Sequence, residues 1–257
     1  LSRRRFGRPD GRLVLVVGSP RSGTTFLARA LGSLPGLIDL GEVAPLKAAI
    51  PELAGRHVDE TAAAVRRILT RARRLGLVGN LRPVEQTPET AFVLPGILAA
   101  FPEARVVHAV RDGRDVVCSL LERGWLQSGR AGTDDAGNRF GAEARFWVEP
   151  ERREEFASVS EARRAAWAWR SYVGAVRASG VRVVEVRYER LTADPAGAAA
   201  ELAGALGVPE APLAGALAEA HRGSVGRYAT DLSEEQLADV VAEAGGLLRE
   251  LGYLQGA

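Results

Sequence analysis

The chain has one cysteine, Cys118, in 257 residues. A single thiol excludes an internal disulfide and a multi-thiolate metal site. Histidine is nearly as scarce. His57, His108 and His221 are the three present, and none stands at metal-ligand spacing from another. Lys47 is the only lysine. The basic side is otherwise arginine, and with so much alanine and glycine this reads as coding bias more than function. The formal net charge is only +2, although the pI is about 9.0. Without a clustered patch, that is too mild to argue for a nucleic-acid partner, and Arg66, Arg67, Arg71, Arg73 and Arg74 read as a solvated helix face. No apolar run reaches the length of a membrane span, and Leu1-Ser2-Arg3-Arg4-Arg5 has no apolar signal core. The expectation is a soluble, cytoplasmic protein.

What is present is an ordinary globular composition. Hydrophobic residues make up 46%, which rules out wholesale disorder. The length suits one large domain or two small ones and is enough to bury a full core. We read residues 1–257 as a single domain with a frayed Arg- and Gly-rich start at 1–12.

The stretch that organises the chain runs from Val14 to Leu31. An apolar, β-branched run ends at Gly18, a short loop follows, and an amphipathic segment continues without a breaker to Gly32. That is strand, loop, helix. Gly18, four residues, Gly23 and then Thr24-Thr25 is the spacing of a phosphate-binding loop. Its backbone N–H groups and the helix N-terminus would face an anion. The lysine of a nucleoside-triphosphate loop is missing. Thr24 stands in its place, and Arg21 is the only cation inside the loop.

Further on, strands are expected at 37–40, 83–87, 104–110 and 181–186. Helices are expected at 57–75, 89–101, 112–123, 161–179, 196–206, 210–221 and 233–251. Alternation of strand and helix implies a parallel sheet covered by helices on both faces. Gly18, Glu42, Thr87 and Arg111 each follow a strand, so they would converge on the rim where such sheets bind ligands. The second strong pattern is Arg111-Asp112-Gly113-Arg114-Asp115 followed by Ser119. Arg111 ends a strand, and Ser119 lies two helical turns later. A guanidinium and a hydroxyl together suit a phosphate monoester. The alternative is a capped helix with a surface arginine, the cap being Asp112 or Asp115.

Taken together, Ser19-Pro20-Arg21-Ser22-Gly23-Thr24-Thr25 and the Arg111–Ser119 segment resemble the sulfotransferases that use 3′-phosphoadenosine 5′-phosphosulfate (PAPS). In form they are closest to bacterial and tyrosylprotein sulfotransferases. Val186-Arg187-Tyr188-Glu189 resembles the family's Tyr-Glu segment after the last strand. The resemblance implies a three-layer α/β fold of the P-loop type, with a central, about five-stranded parallel sheet and helices on both faces. It implies sulfuryl transfer to an acceptor hydroxyl or amine without a metal, and release of 3′,5′-adenosine bisphosphate. A sulfuryl group carries less charge than a γ-phosphoryl group, so fixed donors can stabilise its transfer.

On this resemblance, Arg21, Ser22, Gly23, Thr24 and Thr25 hold the 5′-phosphosulfate, and Arg21 also stabilises the leaving group. Arg111 and Ser119 hold the 3′-phosphate, Tyr188 approaches the adenine, and Phe26 adds an apolar contact or packs the first helix. Ser224 and Arg227, in a Ser-x-Gly-Arg-aromatic segment, close over the nucleotide or form a plain polar loop. The acceptor proton needs a base. Glu42, after Gly41, matches the Gly-Glu segment of tyrosylprotein sulfotransferases, and Glu85 is the second candidate. Gln86 departs from the family, which often has a lysine there. His108, inside a strand, is expected to be a core or rim residue.

The irregular stretch 124–158 is read as an acceptor lid in which Trp125, Phe140, Phe146 and Trp147 line a pocket or pin the loop. Trp167 and Trp169 are two apart on a helix, so at most one is expected in the main core. A P-loop kinase and a non-catalytic nucleotide-binding protein are the alternatives. Neither the acceptor nor the oligomeric state can be read from the residues.

Overall fold

The computed structural model describes residues 13–74, 81–127, 132–133, 139–140 and 148–255. The segment 1–12 lies outside these, as do Phe146, Trp147 and the side chain of Phe140. Five parallel strands form the central sheet: β1 (Val14–Gly18), β2 (Leu37–Asp39), β3 (Arg82–Glu85), β4 (Arg105–Val110) and β5 (Val184–Arg187). Their order is β2-β3-β1-β4-β5. The register sets Val14 beside Val84 and Gly18 beside Ala109. All five strands therefore end on one rim.

Side-chain alternation along the strands divides the core. Val14 and Val16 of β1, with Val107 and Ala109 of β4, pack under α1 (Thr24–Gly32) and the later helices α9 (Pro195–Leu206) and α10 (Glu210–Leu217). Leu15 and Val17 face the opposite layer, built from α2 (Ala44–Leu53), α3 (Val58–Arg74), α4 (Leu94–Ala100), α5 (Gly113–Arg123), α7 (Glu161–Ala178) and α12 (Glu234–Glu250). The remaining short helices are α6 (Arg153–Ser158), α8 (Tyr188–Ala193) and α11 (Tyr228–Asp231). Among the described residues no helix is long and apolar enough to cross a membrane.

Several expectations change. The helix expected at 89–101 is a 3₁₀ turn, Pro88–Val93, followed by α4. Pro95 occupies the start of α4, where its missing N–H costs nothing, so one helical pattern becomes two segments. The last strand is Val184–Arg187 rather than 181–186, and α10 stops at Leu217. The stretch 124–158 contains α6, whose first turn carries Glu154 and Glu155, and a two-residue strand pair at 132–133 and 139–140. Helix α2 is an element not among those expected from the sequence.

Trp167 and Trp169 are both fully buried, and both belong to the same core. The expectation of one was wrong because α7 is enclosed on more than one side. It packs against α5, α12, the 3₁₀ turn Pro88–Val93 and β1. Trp169 donates its indole N–H to the Arg111 carbonyl at 3.1 Å, and its ring lies where a Cβ on Gly113 would meet it at 2.7 Å. Trp167 meets Phe156 of α6 edge-on at 5.5 Å. His108 is in the core, as expected. Burial pushes its imidazole down to about 4, and its Nε2 has no hydrogen-bond partner.

Candidate active site

The loop between β1 and α1 is bent by its backbone. The Ser22 N–H donates to the Ser19 carbonyl at 3.1 Å. Arg21 has φ 72°, the one positive φ outside glycine among the described residues, a conformation that costs a residue with a Cβ. Gly23 follows at φ 89° as the N-cap of α1, which has no side-chain cap. The first N–H groups of α1 are therefore left to other partners. A Cβ on Gly23 would stand 2.7 Å from the Tyr188 ring, so glycine is required there by both dihedral and space.

Every residue predicted for the donor except Ser22 lines one cleft of about 730 Å³. Ser22 is buried beneath it, and its Oγ has no hydrogen-bond partner. Arg21 Nε donates to Ser119 Oγ at 2.9 Å, and Arg111 Nη1 donates to the Arg21 carbonyl at 3.0 Å. The two motifs, 90 residues apart, are thus bonded to each other. Ser119 is joined to Arg21 rather than to Arg111. Arg111 Nε is buried with no hydrogen-bond partner.

The far wall of the cleft comes from the C-terminal segments. The Arg111 guanidinium lies 4.9 Å from the Tyr188 ring centroid, and its Nη2 donates to the Ser224 carbonyl. Tyr188 Oη donates to the His221 carbonyl at 3.1 Å. Arg227 is paired with Glu122 and Asp231. The start of α5 anchors this wall. Asp112 is the cap, accepting from the Arg114 N–H at 3.0 Å. Asp115 instead accepts from the Gly226 and Tyr228 N–H groups at 2.8 and 3.0 Å. Phe26 lines the cleft and also packs against the core layer under α1.

Across the loop lies a smaller pocket of about 80 Å³, which shares Arg21, Thr24 and Thr25 with the donor cleft. Leu120, Trp125, Leu126 and Ala168 supply apolar surface, and Glu42 lines it too. Glu42 is held on a strap tied to the end of β3. The Gln86 N–H donates to the Gly41 carbonyl at 3.2 Å, and the Val43 N–H donates to Thr87 Oγ1 at 3.0 Å. Gln86 Oε1 accepts from Thr25 Oγ1 at 3.3 Å. The convergence of Gly18, Glu42, Thr87 and Arg111 at one rim is realised.

Glu85 is different. It has no exposure and does not line the pocket. Its Oε1 accepts the Thr87 N–H at 2.8 Å, and burial raises its carboxyl to about 8. The Glu85 carboxyl thus fixes the backbone at Thr87, whose hydroxyl in turn accepts the Val43 N–H next to Glu42.

Lys47, noted in the sequence only as the single lysine, lines the same pocket. Its Nζ lies 2.6 Å from Glu42 Oε2 and 3.7 Å from Glu89 Oε2. Glu89 Oε1 accepts from Tyr172 Oη at 2.9 Å. Burial raises the Glu89 carboxyl above the usual range, with Lys47 opposing. Lys47, Glu89 and Tyr172 were missed as site residues. A signal existed for the first: a solitary lysine in Leu46-Lys47-Ala48-Ala49-Ile50, with apolar residues at 46, 50 and 53 at helical spacing.

A glycine-hinged loop at the head of a parallel sheet, bonded to an arginine from the neighbouring strand and bordered by a carboxylate pocket, is an arrangement that suits transfer of an anionic group. A model of the Sulfotransferase family matches residues 62–212, more than half of the chain, and the chain belongs to that family. It is a sulfotransferase, and the kinase and non-catalytic alternatives fall away. The matched stretch begins after the anion loop and includes Arg111, Ser119 and Tyr188.

Solved structures agree on the fold. The sulfotransferase domain of the Synechococcus olefin synthase is 16% identical, with a TM-score of 0.57 over 91% of this chain and 94% of that one. A sulfotransferase from Mycobacterium avium is 13% identical, with a TM-score of 0.54 over 95% and 77%. One from Alicyclobacillus acidocaldarius is 17% identical, with a TM-score of 0.51 over 95% and 96%. No curated protein matches the chain.

Proposed function

We propose that the sulfuryl donor is PAPS, bound in the larger cleft, and that the acceptor is a hydroxyl or amine presented to Glu42 in the smaller pocket. The observation that carries this is the bonding of Arg21 to Ser119 and Arg111, which makes one cationic unit from the two anion motifs. The fit is supported by three features: the uncapped N-terminus of α1, and the partnerless buried Ser22 Oγ and Arg111 Nε. Residues 22–25 would hold the 5′ end through backbone N–H groups. Arg111 would hold the 3′-phosphate, Tyr188 would meet the adenine, and Ser224 and Arg227 would border it.

Arg21 stands between the two pockets. Its guanidinium is placed to stabilise negative charge developing on the oxygen between phosphorus and sulfur. Glu42 accepts the acceptor proton as the new sulfur–oxygen bond forms. Calorimetry with 3′,5′-adenosine bisphosphate and with ATP tests the donor assignment. Preferential binding of the bisphosphate is expected, and preference for ATP would refute it. A mass-spectrometric screen for an added SO₃ group identifies the acceptor.

A further inference from the structure

Glu42 projects from a short loop, and a base on a loop needs something to fix its carboxylate. The pocket supplies a buried ammonium. The Lys47 side chain is 7% exposed and reaches from the first turn of α2. It is within 2.6 Å of Glu42 Oε2. A buried ammonium is costly unless it is paired. The second carboxylate, Glu89, stands 3.7 Å away and is itself held by Tyr172 of α7. Arg21 from the anion loop lines the same pocket. Glu85 lies under the strap, close enough for Glu42 to act on it electrostatically.

We propose that Lys47 is a positioning residue for sulfuryl transfer: its ammonium anchors one oxygen of Glu42 so that the other is presented to the acceptor, and Glu89 with Tyr172 anchors the ammonium. This rests on Glu42 being the base. When the acceptor O–H bond breaks, its proton passes to the presented oxygen. The new sulfur–oxygen bond forms as the old one to the donor phosphate breaks. Lys47 then keeps Glu89 as its ionic partner, so the ammonium is not stranded when Glu42 becomes neutral.

The solitary lysine makes the test direct. In a lysine-free-tagged chain labelled with ¹⁵N-lysine, only one side-chain ammonium signal can arise. Exposed ammonium protons exchange with water too fast to be seen at neutral pH, whereas buried, hydrogen-bonded ones persist. The wild-type chain should show one protected Nζ signal at pH 7. Glu42→Gln should shift and broaden it, and Glu89→Gln should do so to a smaller extent. Absence of a protected signal, or a signal indifferent to Glu42→Gln, overturns the pairing.

The functional arm uses 2-naphthol as the probe acceptor and compares each variant with wild type in the same assay. Lys47→Met should slow transfer at least tenfold and move the acid limb of its pH profile upward, because two carboxylates are left facing each other. Lys47→Arg should recover part of both. Affinity for 3′,5′-adenosine bisphosphate should stay within about twofold in each. Unchanged transfer and pH profile in Lys47→Met overturn the positioning role. Full transfer in Glu42→Gln sinks the base assignment instead, and the nuclear resonance result then reports the ion pair independently.

Discussion

The two sides of Arg21 are built from opposite materials. On the donor side, the two arginines of the anion motifs are bonded to backbone carbonyls and a hydroxyl, Arg111 to the carbonyls of Arg21 and Ser224, and Arg21 to Ser119, while Arg227 at the outer wall is the one paired with carboxylates. These bonds of Arg111 go to carbonyls and not to a carboxylate, in keeping with the proposed phosphate-binding role. On the acceptor side, carboxylates and an ammonium neutralise one another: Glu42, Lys47 and Glu89, beside apolar walls. In the proposed assignment one side binds the anionic donor and the other accepts a proton. Arg21 belongs to both pockets, which is where a group in transit must pass.

The comparison can be broken one side at a time. The largest effect is expected from Glu42→Gln, which keeps size but cannot take the proton. Transfer should fall about 10²–10⁴-fold in a turnover assay, the range typical of a removed general base. Arg111→Ala acts on the other side. It removes a charge-assisted contact and the support of Arg21 and Ser224, so donor-product affinity should fall by roughly 2–4 kcal/mol in calorimetry. Arg111→Lys should recover only part, since a point charge cannot reproduce the fork.

Glu85 tests the strap beneath the acceptor side. Its folded carboxyl is raised to about 8, above its value in the unfolded chain. Between roughly pH 4.5 and 8 the unfolded chain loses this proton while the folded chain keeps it, so stability falls as pH rises through that window. Glu85→Gln keeps the acceptor for the Thr87 N–H and cannot ionise. Denaturant melts at pH 8 should show the variant more stable relative to wild type than at pH 4. His108 contributes the opposite slope. Its folded pKa of about 4 lies below the ordinary value, so stability is lost as pH falls from roughly 6.5 towards 4. The smallest expected effect is from Asp115→Asn, which weakens the hold on the Gly226 and Tyr228 N–H groups. Donor-product affinity should weaken a few-fold, and turnover on saturating donor should barely change.

The donor side was more legible in the sequence than the acceptor side, for a physical reason. An anion loop depends on glycine positions, a helix start and an arginine at a strand end, and all of these are local patterns. Gly23, Arg21 and Arg111 could be placed from neighbours a few residues away, and Tyr188 from the resemblance of its segment to the family. The acceptor pocket depends on side chains from α2, the 3₁₀ turn and α7, which only the fold brings together. Lys47 and Glu89 are 42 positions apart in the numbering and share no motif. Tyr172 belongs to no motif either. Pro95 split a helix that apolar spacing had joined, and the two buried tryptophans show that periodicity cannot count how many neighbours enclose a helix. Glu42 could be named from its Gly-Glu segment, but the ammonium that fixes it could not.

The central claim is that the two sides are separable and meet at Arg21. Its most direct test is calorimetric titration of 3′,5′-adenosine bisphosphate into wild type, Arg111→Ala and Glu42→Gln under one buffer condition. The account predicts that Arg111→Ala loses most of the affinity while Glu42→Gln binds within about twofold of wild type. Equal loss of affinity in both variants would contradict it, because the carboxylate would then belong to the donor site.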